Sequence, residues 1–240
     1  MNWSVAPPNW QSPTGLKIDR FLQTVAERLS PIQDTIVIFG SAVIHMRLDE
    51  TFTSADADLR VSSQYIDAFK AITEDIGMGK SGKDSGQFYL DITPPMAFRS
   101  TSDWMGRCHV EMRHGLKIMI PQVRDILIGK LHRFRKPSQC EMEPKDEKAF
   151  IHIRELTGGH PTEQELLEDL LLCPYAWHLM MNGAASAFRQ NIEDLWPVFY
   201  GKVIDVNTAI IHPLLLDLER AGYTESEDWT ELVRALNPPE

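Results

Sequence analysis

Thr35-Ile36-Val37-Ile38-Phe39-Gly40-Ser41 is an apolar, mostly β-branched run closed by two small residues. Such a run reads as a buried strand. Gly40-Ser41 closes it, and Ala42 to Leu48 reads as a short helix. Fifteen residues past Ser41 comes Asp56-Ala57-Asp58. Ala57-Asp58-Leu59-Arg60-Val61 alternates as a second strand does, with Asp56 at its entrance. Phe88-Tyr89-Leu90-Asp91-Ile92 reads as a third strand, stopped by Pro94-Pro95. Residues i and i+2 of a strand share a face, so Asp56 and Asp58 aim two carboxylates at one point.

That pattern has a chemistry. Hard carboxylate oxygens at this spacing suit Mg2+, which one or two carboxylates hold together with substrate phosphates. Gly40 lets the backbone approach a phosphate closely. Ser41 and the N–H groups opening the next helix are placed to bind its oxygens. A third carboxylate completes a two-metal site or serves as general base. Asp91 is the candidate, because it interrupts an apolar strand where a charge is costly unless paired or metal-bound. Glu111, in Val110-Glu111-Met112, is the alternative. A lone Asp-x-Asp is usually a solvated surface pair. It is the order strand, Gly-Ser, helix, Asp-x-Asp strand, Asp strand that carries the reading.

Outward from this centre, Ile18, Phe21, Leu22, Val25 and Leu29 recur at helical spacing between Leu16 and Leu29, and Pro31 ends that helix. Residues 1–15, with Trp3 and Trp10, read as an extended arm. A helix is expected over 64–76 and a Gly/Lys/Ser turn over 77–86, the latter without the order of a phosphate loop. Cys108–Met112 and Leu116–Ile120 form a hairpin turned at His114-Gly115. Pro121 opens a helix carrying Val123, Ile126, Leu127 and Leu131. Lys145–Leu156 reads as helix ended by Gly158-Gly159. Helical patterns follow at 162–172, 175–189, 192–200, 205–221 and 226–236, with Trp177, Trp196 and Trp229 as core residues. The expected fold is α+β: a mixed sheet flanked by helices over 16–155, then an all-helical region over 156–240.

Composition sets outer bounds. The 240 residues are 43% hydrophobic and 24% charged, which excludes a disordered chain. No apolar run approaches the ~20 residues of a membrane span. The first residues lack the basic flank and apolar stretch of a secretory signal. Cys108, Cys140 and Cys173 lie too far apart for a CxxC pair. A cytoplasmic protein is therefore expected, with no membrane partner. The formal charge of -10 opposes indiscriminate nucleic-acid binding. The charge is uneven, however. Residues 1–120 carry 12 basic and 14 acidic side chains, residues 121–154 carry 8 and 5, and residues 155–240 carry 4 and 15. The catalytic candidates thus lie in a nearly neutral part beside a basic stretch.

Ile38-Phe39-Gly40-Ser41-Ala42, Arg47 and Thr53-Ser54-Ala55-Asp56-Ala57-Asp58-Leu59 together resemble the signature of the nucleotidyltransferase superfamily, the polymerase-beta-like fold. Asp125-Ile126-Leu127-Ile128-Gly129-Lys130-Leu131 with Arg133 and Arg135, and Pro144-Lys145-Asp146, are similar to later motifs of its branch containing the AbiEii-type abortive-infection toxins. The resemblance implies a transferase moving an NMP from an NTP, such as ATP, to an acceptor hydroxyl. It implies that Gly40, Ser41, Arg47, Lys130 and Asp146 bind the nucleotide. Asp56, Asp58 and Asp91 would be catalytic and hold magnesium. The expected partners are the NTP, an acceptor that is an RNA end, a protein or a small molecule, and an antitoxin or other protein. Two alternatives stand beside the toxin reading. One is a silent nucleotidyltransferase fold acting as a binding or regulatory module. The other is an aminoglycoside-type small-molecule nucleotidyltransferase.

Overall fold

The structure is a computed structural model that describes residues 7–29, 31–48, 54–95, 98, 100–101, 103–132, 150–154, 161–172, 184–220 and 222. By its contacts the chain forms two compact units. The first is residues 1–99 with 103–126, and the second is residues 100–102 with 127–240. The sequence pattern draws the change of character at 155–156. The contacts draw it inside the helix Val123–Leu131.

The first unit is built on a mixed five-stranded sheet, as the α+β expectation requires. Its elements are α1 (Pro13–Leu29), β1 (Thr35–Phe39), α2 (Ser41–Leu48), β2 (Asp56–Arg60), α3 (Ile66–Asp75), β3 (Tyr89–Thr93), β4 (His109–Arg113) and β5 (Leu116–Ile120). The strand order is β3-β2-β1-β5-β4. β1 runs antiparallel to β2 and parallel to β5, β2 runs parallel to β3, and β4 closes the hairpin with β5. The hairpin turns at His114 and Gly115, both at positive φ (51° and 79°).

The registers sort the side chains into two faces. One carries Ile36, Ile38, Ala57, Leu59, Leu90, Ile92, Leu116, Ile118 and Ile120, all buried. It is the helix-covered face: Asp19 of α1 reaches Arg113 of β4, and Phe21 of α1 meets Phe69 of α3 edge-on at 5.7 Å. Full burial of such Phe, Leu and Ile side chains contributes about 1.5–3 kcal/mol each. The other face carries Phe39, Asp56, Asp58, Arg60, Tyr89, Asp91 and Thr93. Part of it is roofed by Phe98, 5.1 Å from Phe39, and by Trp104, against which Phe98 stands edge-on at 4.8 Å.

The helix α1 begins at Pro13 rather than Leu16, because Ser12 caps it. The Ser12 hydroxyl accepts from the Gly15 N–H at 3.0 Å, and proline is well tolerated in a helix's first turn. The expected extended arm is thereby shortened. Trp10 is buried, with the Arg113 guanidinium 4.1 Å from its ring centre.

In the second unit, α4 (Val123–Leu131) ends and α5 (Glu163–Leu171), α6 (Ala184–Tyr200) and α7 (His212–Arg220) follow, with a π-helical turn at Asn207–Ile211 before α7. Thr162 and Glu165 form a reciprocal capping box on α5. Trp196 is in the core as expected, and its indole N–H donates to Glu163 at 2.9 Å. The two helices expected at 175–189 and 192–200 are one helix from Ala184 onward. Asn191 in its middle is accommodated because its amide donates to the buried Leu131 carbonyl at 2.9 Å. Residues 226–236 and Trp3, Trp177 and Trp229 lie outside the described residues.

Candidate active site

β1 ends at Phe39, opposite Asp58 of β2. The next residue, Gly40, has φ +76°, a conformation that L side chains rarely adopt. A Cβ there would lie 2.1 Å from Asp58 Oδ2. Glycine is therefore required twice over, by the backbone and by the carboxylate resting against it. Ser41 opens α2, and the Val43 N–H donates to the Gly40 carbonyl at 3.3 Å.

β2 and β3 are parallel, and Asp58 pairs with Asp91 while Asp56 pairs with Tyr89. Paired positions share a face, so all three aspartates stand on one face of two adjacent strands. The intervening Ala57, Leu59, Leu90 and Ile92 are buried on the other. The alternation expected from the sequence thus puts Asp56, Asp58 and Asp91 on one face, with Gly40 against Asp58 and Ser41 next in the chain. Glu111 does not join them. It pairs with Ile118 and so lies on the helix-covered face of the edge strand β4, with His109 at 3.0 Å.

Two residues of the site were not singled out from the sequence. The Tyr89 hydroxyl donates to Asp56 Oδ2 at 2.8 Å. Burial, then Asp56, with Asp91 and Asp58 beyond it, push the Tyr89 phenol well above its ordinary range, so it remains a donor. Lys80, at the start of the 3-10 turn Lys80–Ser85, places its ammonium 2.8 Å from Asp91 Oδ1. Alternation from Asp91 back to Tyr89 could have revealed the tyrosine. Nothing local signals Lys80.

Arg47, expected to contact nucleotide, is buried at the end of α2, and its guanidinium donates to the Ile120 carbonyl at 3.0 Å. Burial lowers it to about 10, with Cys108 and Asp125 acting in the opposite direction. It closes the end of β5. Nearby, buried Asp125 pairs with Arg107 at 2.5 Å. Lys130 belongs to the second unit, half-buried on α4. Asp146, Lys145, Arg133 and Arg135 lie outside the described residues.

Among the described residues, no three or more His, Cys, Asp or Glu side chains are gathered as a ready metal cage. Asp91 is turned to Lys80 and Asp56 to Tyr89. The donor set nevertheless fits Mg2+, being carboxylate oxygen on neighbouring strands beside a glycine whose missing Cβ leaves Asp58 its place. No helix among the described residues is long and apolar enough to cross a membrane. Compared with family models, curated proteins and solved structures, the chain matches none.

Proposed function

We propose that this chain is a metal-dependent nucleotidyltransferase, moving an NMP from an NTP to an acceptor hydroxyl and releasing pyrophosphate. One observation carries the reading: three aspartates on one face of β2 and β3, beside a glycine that opens a helix and leaves room for one of their carboxylates. Asp56 and Asp58 would hold Mg2+, and Asp91 would hold it or take the acceptor proton. Magnesium, when bound, supplies charge stabilisation at the phosphorus being displaced. Gly40 and Ser41 present the start of α2 to the triphosphate. The Tyr89 hydroxyl orients Asp56. The likeness to the AbiEii-type branch makes a toxin acting on an RNA end or a protein the first acceptor class to test, in the cytoplasm and with an antitoxin as partner.

The test is labelled NTP with Mg2+ and separate pools of tRNA, protein and aminoglycoside. Label is expected in one pool, and Asp58→Asn should lower its incorporation at least a hundredfold, the scale of losing a group that stabilises transition-state charge. Unchanged turnover in Asp58→Asn refutes the assignment. A silent nucleotide-binding module is the second reading. It is favoured by the protein partners already on Asp91 and Asp56, and it predicts NTP binding without transfer.

A further inference from the structure

Lys80 lies in a stretch that reads as a plain turn, yet the fold ties the backbone of that stretch in place. The Met78 N–H donates to the Thr73 carbonyl at 2.7 Å, and the Leu90 N–H donates to the Met78 carbonyl at 2.8 Å. The Gln87 N–H donates to the Gly82 carbonyl at 3.2 Å. At Gly79 a Cβ would fall 2.0 Å from the Glu74 carboxylate, so the chain passes close to the end of α3 there. The segment between α3 and β3 is thus tied at both ends. Those ties set the Lys80 ammonium on Asp91, the carboxylate next to Asp58.

The two side chains are unequally held. Asp91 is 27% exposed and Lys80 61%. The aspartate is fixed in a strand, whereas the lysine's four-carbon stem is free to swing away into water. An ammonium on a carboxylate weakens that carboxylate's hold on a divalent cation, because like charges repel at contact distance.

We infer that Lys80 is a tethered counter-ion that competes with the divalent cation for Asp91, so that the metal fills the site fully only when it arrives with a triphosphate. This rests on the nucleotidyltransferase reading. A free divalent ion must displace Lys80 without compensation. A metal–nucleotide complex offers the displaced ammonium phosphate oxygens in exchange. Lys80 therefore couples metal occupancy to nucleotide occupancy.

The experiment titrates Mn2+ by electron paramagnetic resonance, with and without α,β-methylene ATP. The proteins are wild type, Lys80→Gln, Lys80→Arg and Asp58→Asn, each first checked for its fold by circular dichroism. An exposed ion pair accounts for up to roughly a fivefold change. Removing an ammonium's repulsion of a dication adds to that. Lys80→Gln should thus bind free Mn2+ about three- to tenfold more tightly than wild type, and the tightening by nucleotide should shrink. Lys80→Arg should behave as wild type. Equal or weaker Mn2+ binding by Lys80→Gln, with binding still abolished in Asp58→Asn, overturns the inference and leaves the enzyme reading standing. Tightening in Lys80→Arg as large as in Lys80→Gln overturns it too, since charge would not be the cause. No Mn2+ binding by any variant, even with nucleotide, overturns the enzyme reading itself.

Discussion

Gly40→Ala isolates the contact on which the site is built. Two penalties arise at once. The backbone at φ +76° is a left-handed conformation, costing an L residue about 1–2 kcal/mol. The new methyl would stand 2.1 Å from Asp58 Oδ2, so the carboxylate must rotate off its position. Forcing a side chain from its rotamer adds about 0.5–1.5 kcal/mol. The sum is a loss of about 1.5–3.5 kcal/mol. The second penalty vanishes when Asp58 is shortened, because the Asp58 Cβ itself lies 3.6 Å away, an ordinary contact. Urea unfolding of wild type, Gly40→Ala, Asp58→Ala and the double variant reads the coupling directly. Gly40→Ala should destabilise the Asp58→Ala protein by only about 1–2 kcal/mol, leaving a coupling of about 0.5–1.5 kcal/mol. Equal effects in both backgrounds would show that the glycine does not make room for this carboxylate and would refute the proposed site.

Two further outcomes follow from groups outside the site. The Cys108 thiol is pushed up to about 12 by burial and then by Asp125. At pH 8 it should therefore alkylate at least tenfold more slowly than a free cysteine, in proportion to its thiolate fraction, as read by peptide mapping with iodoacetamide. Asp34 is held below its ordinary value: burial acts against this, but the Ser62 N–H at 2.8 Å and the Thr35 N–H at 2.9 Å prevail. A depressed carboxylate contributes stability above its unfolded value of about 3.9 and loses it as pH falls through the folded value. The advantage of wild type over Asp34→Asn in urea should be full at pH 6 and shrink below about pH 4.

Much of the site was legible because it is local. The strand into Gly40-Ser41, the alternation around Asp58 and the aspartate inside an apolar strand each lie within a few residues, and the periodicity of two carries them. The hairpin at His114-Gly115 was legible for the same reason. Asp91 was preferred to Glu111 because it interrupts an apolar run, and the registers place Asp91 on the face of Asp58 and Glu111 on the other. The order of strands was not legible, since it depends on pairing between distant segments. Lys80 is set on Asp91 by ties to α3 and β3 that no short window contains. Arg47 shows the converse. The resemblance made it a nucleotide ligand, and its buried guanidinium donates to the Ile120 carbonyl. The continuity of the helix across residues 190–191 was not legible either, since the Leu131 carbonyl that accepts from Asn191 lies 60 residues away.

The pairing of β2 with β3 has one more consequence. Along β2 the even-numbered residues 56 and 58 face the aspartate cluster and the odd-numbered 57 and 59 face the core. In β3 the parity is reversed, with 89 and 91 outward and 90 and 92 inward. Durability and chemistry are thus interleaved on the same short ribbons, one residue apart, yet each is answerable to a different neighbourhood. Such a strand could lose the proposed chemistry, or exchange it for another, through its outward positions alone while the inward ones keep the molecule folded. The same arrangement forbids drift by a single step. A slip of one residue between the two ribbons would seat Leu90 or Ile92 beside Asp58 and drive Asp91 into the oily side of the sheet.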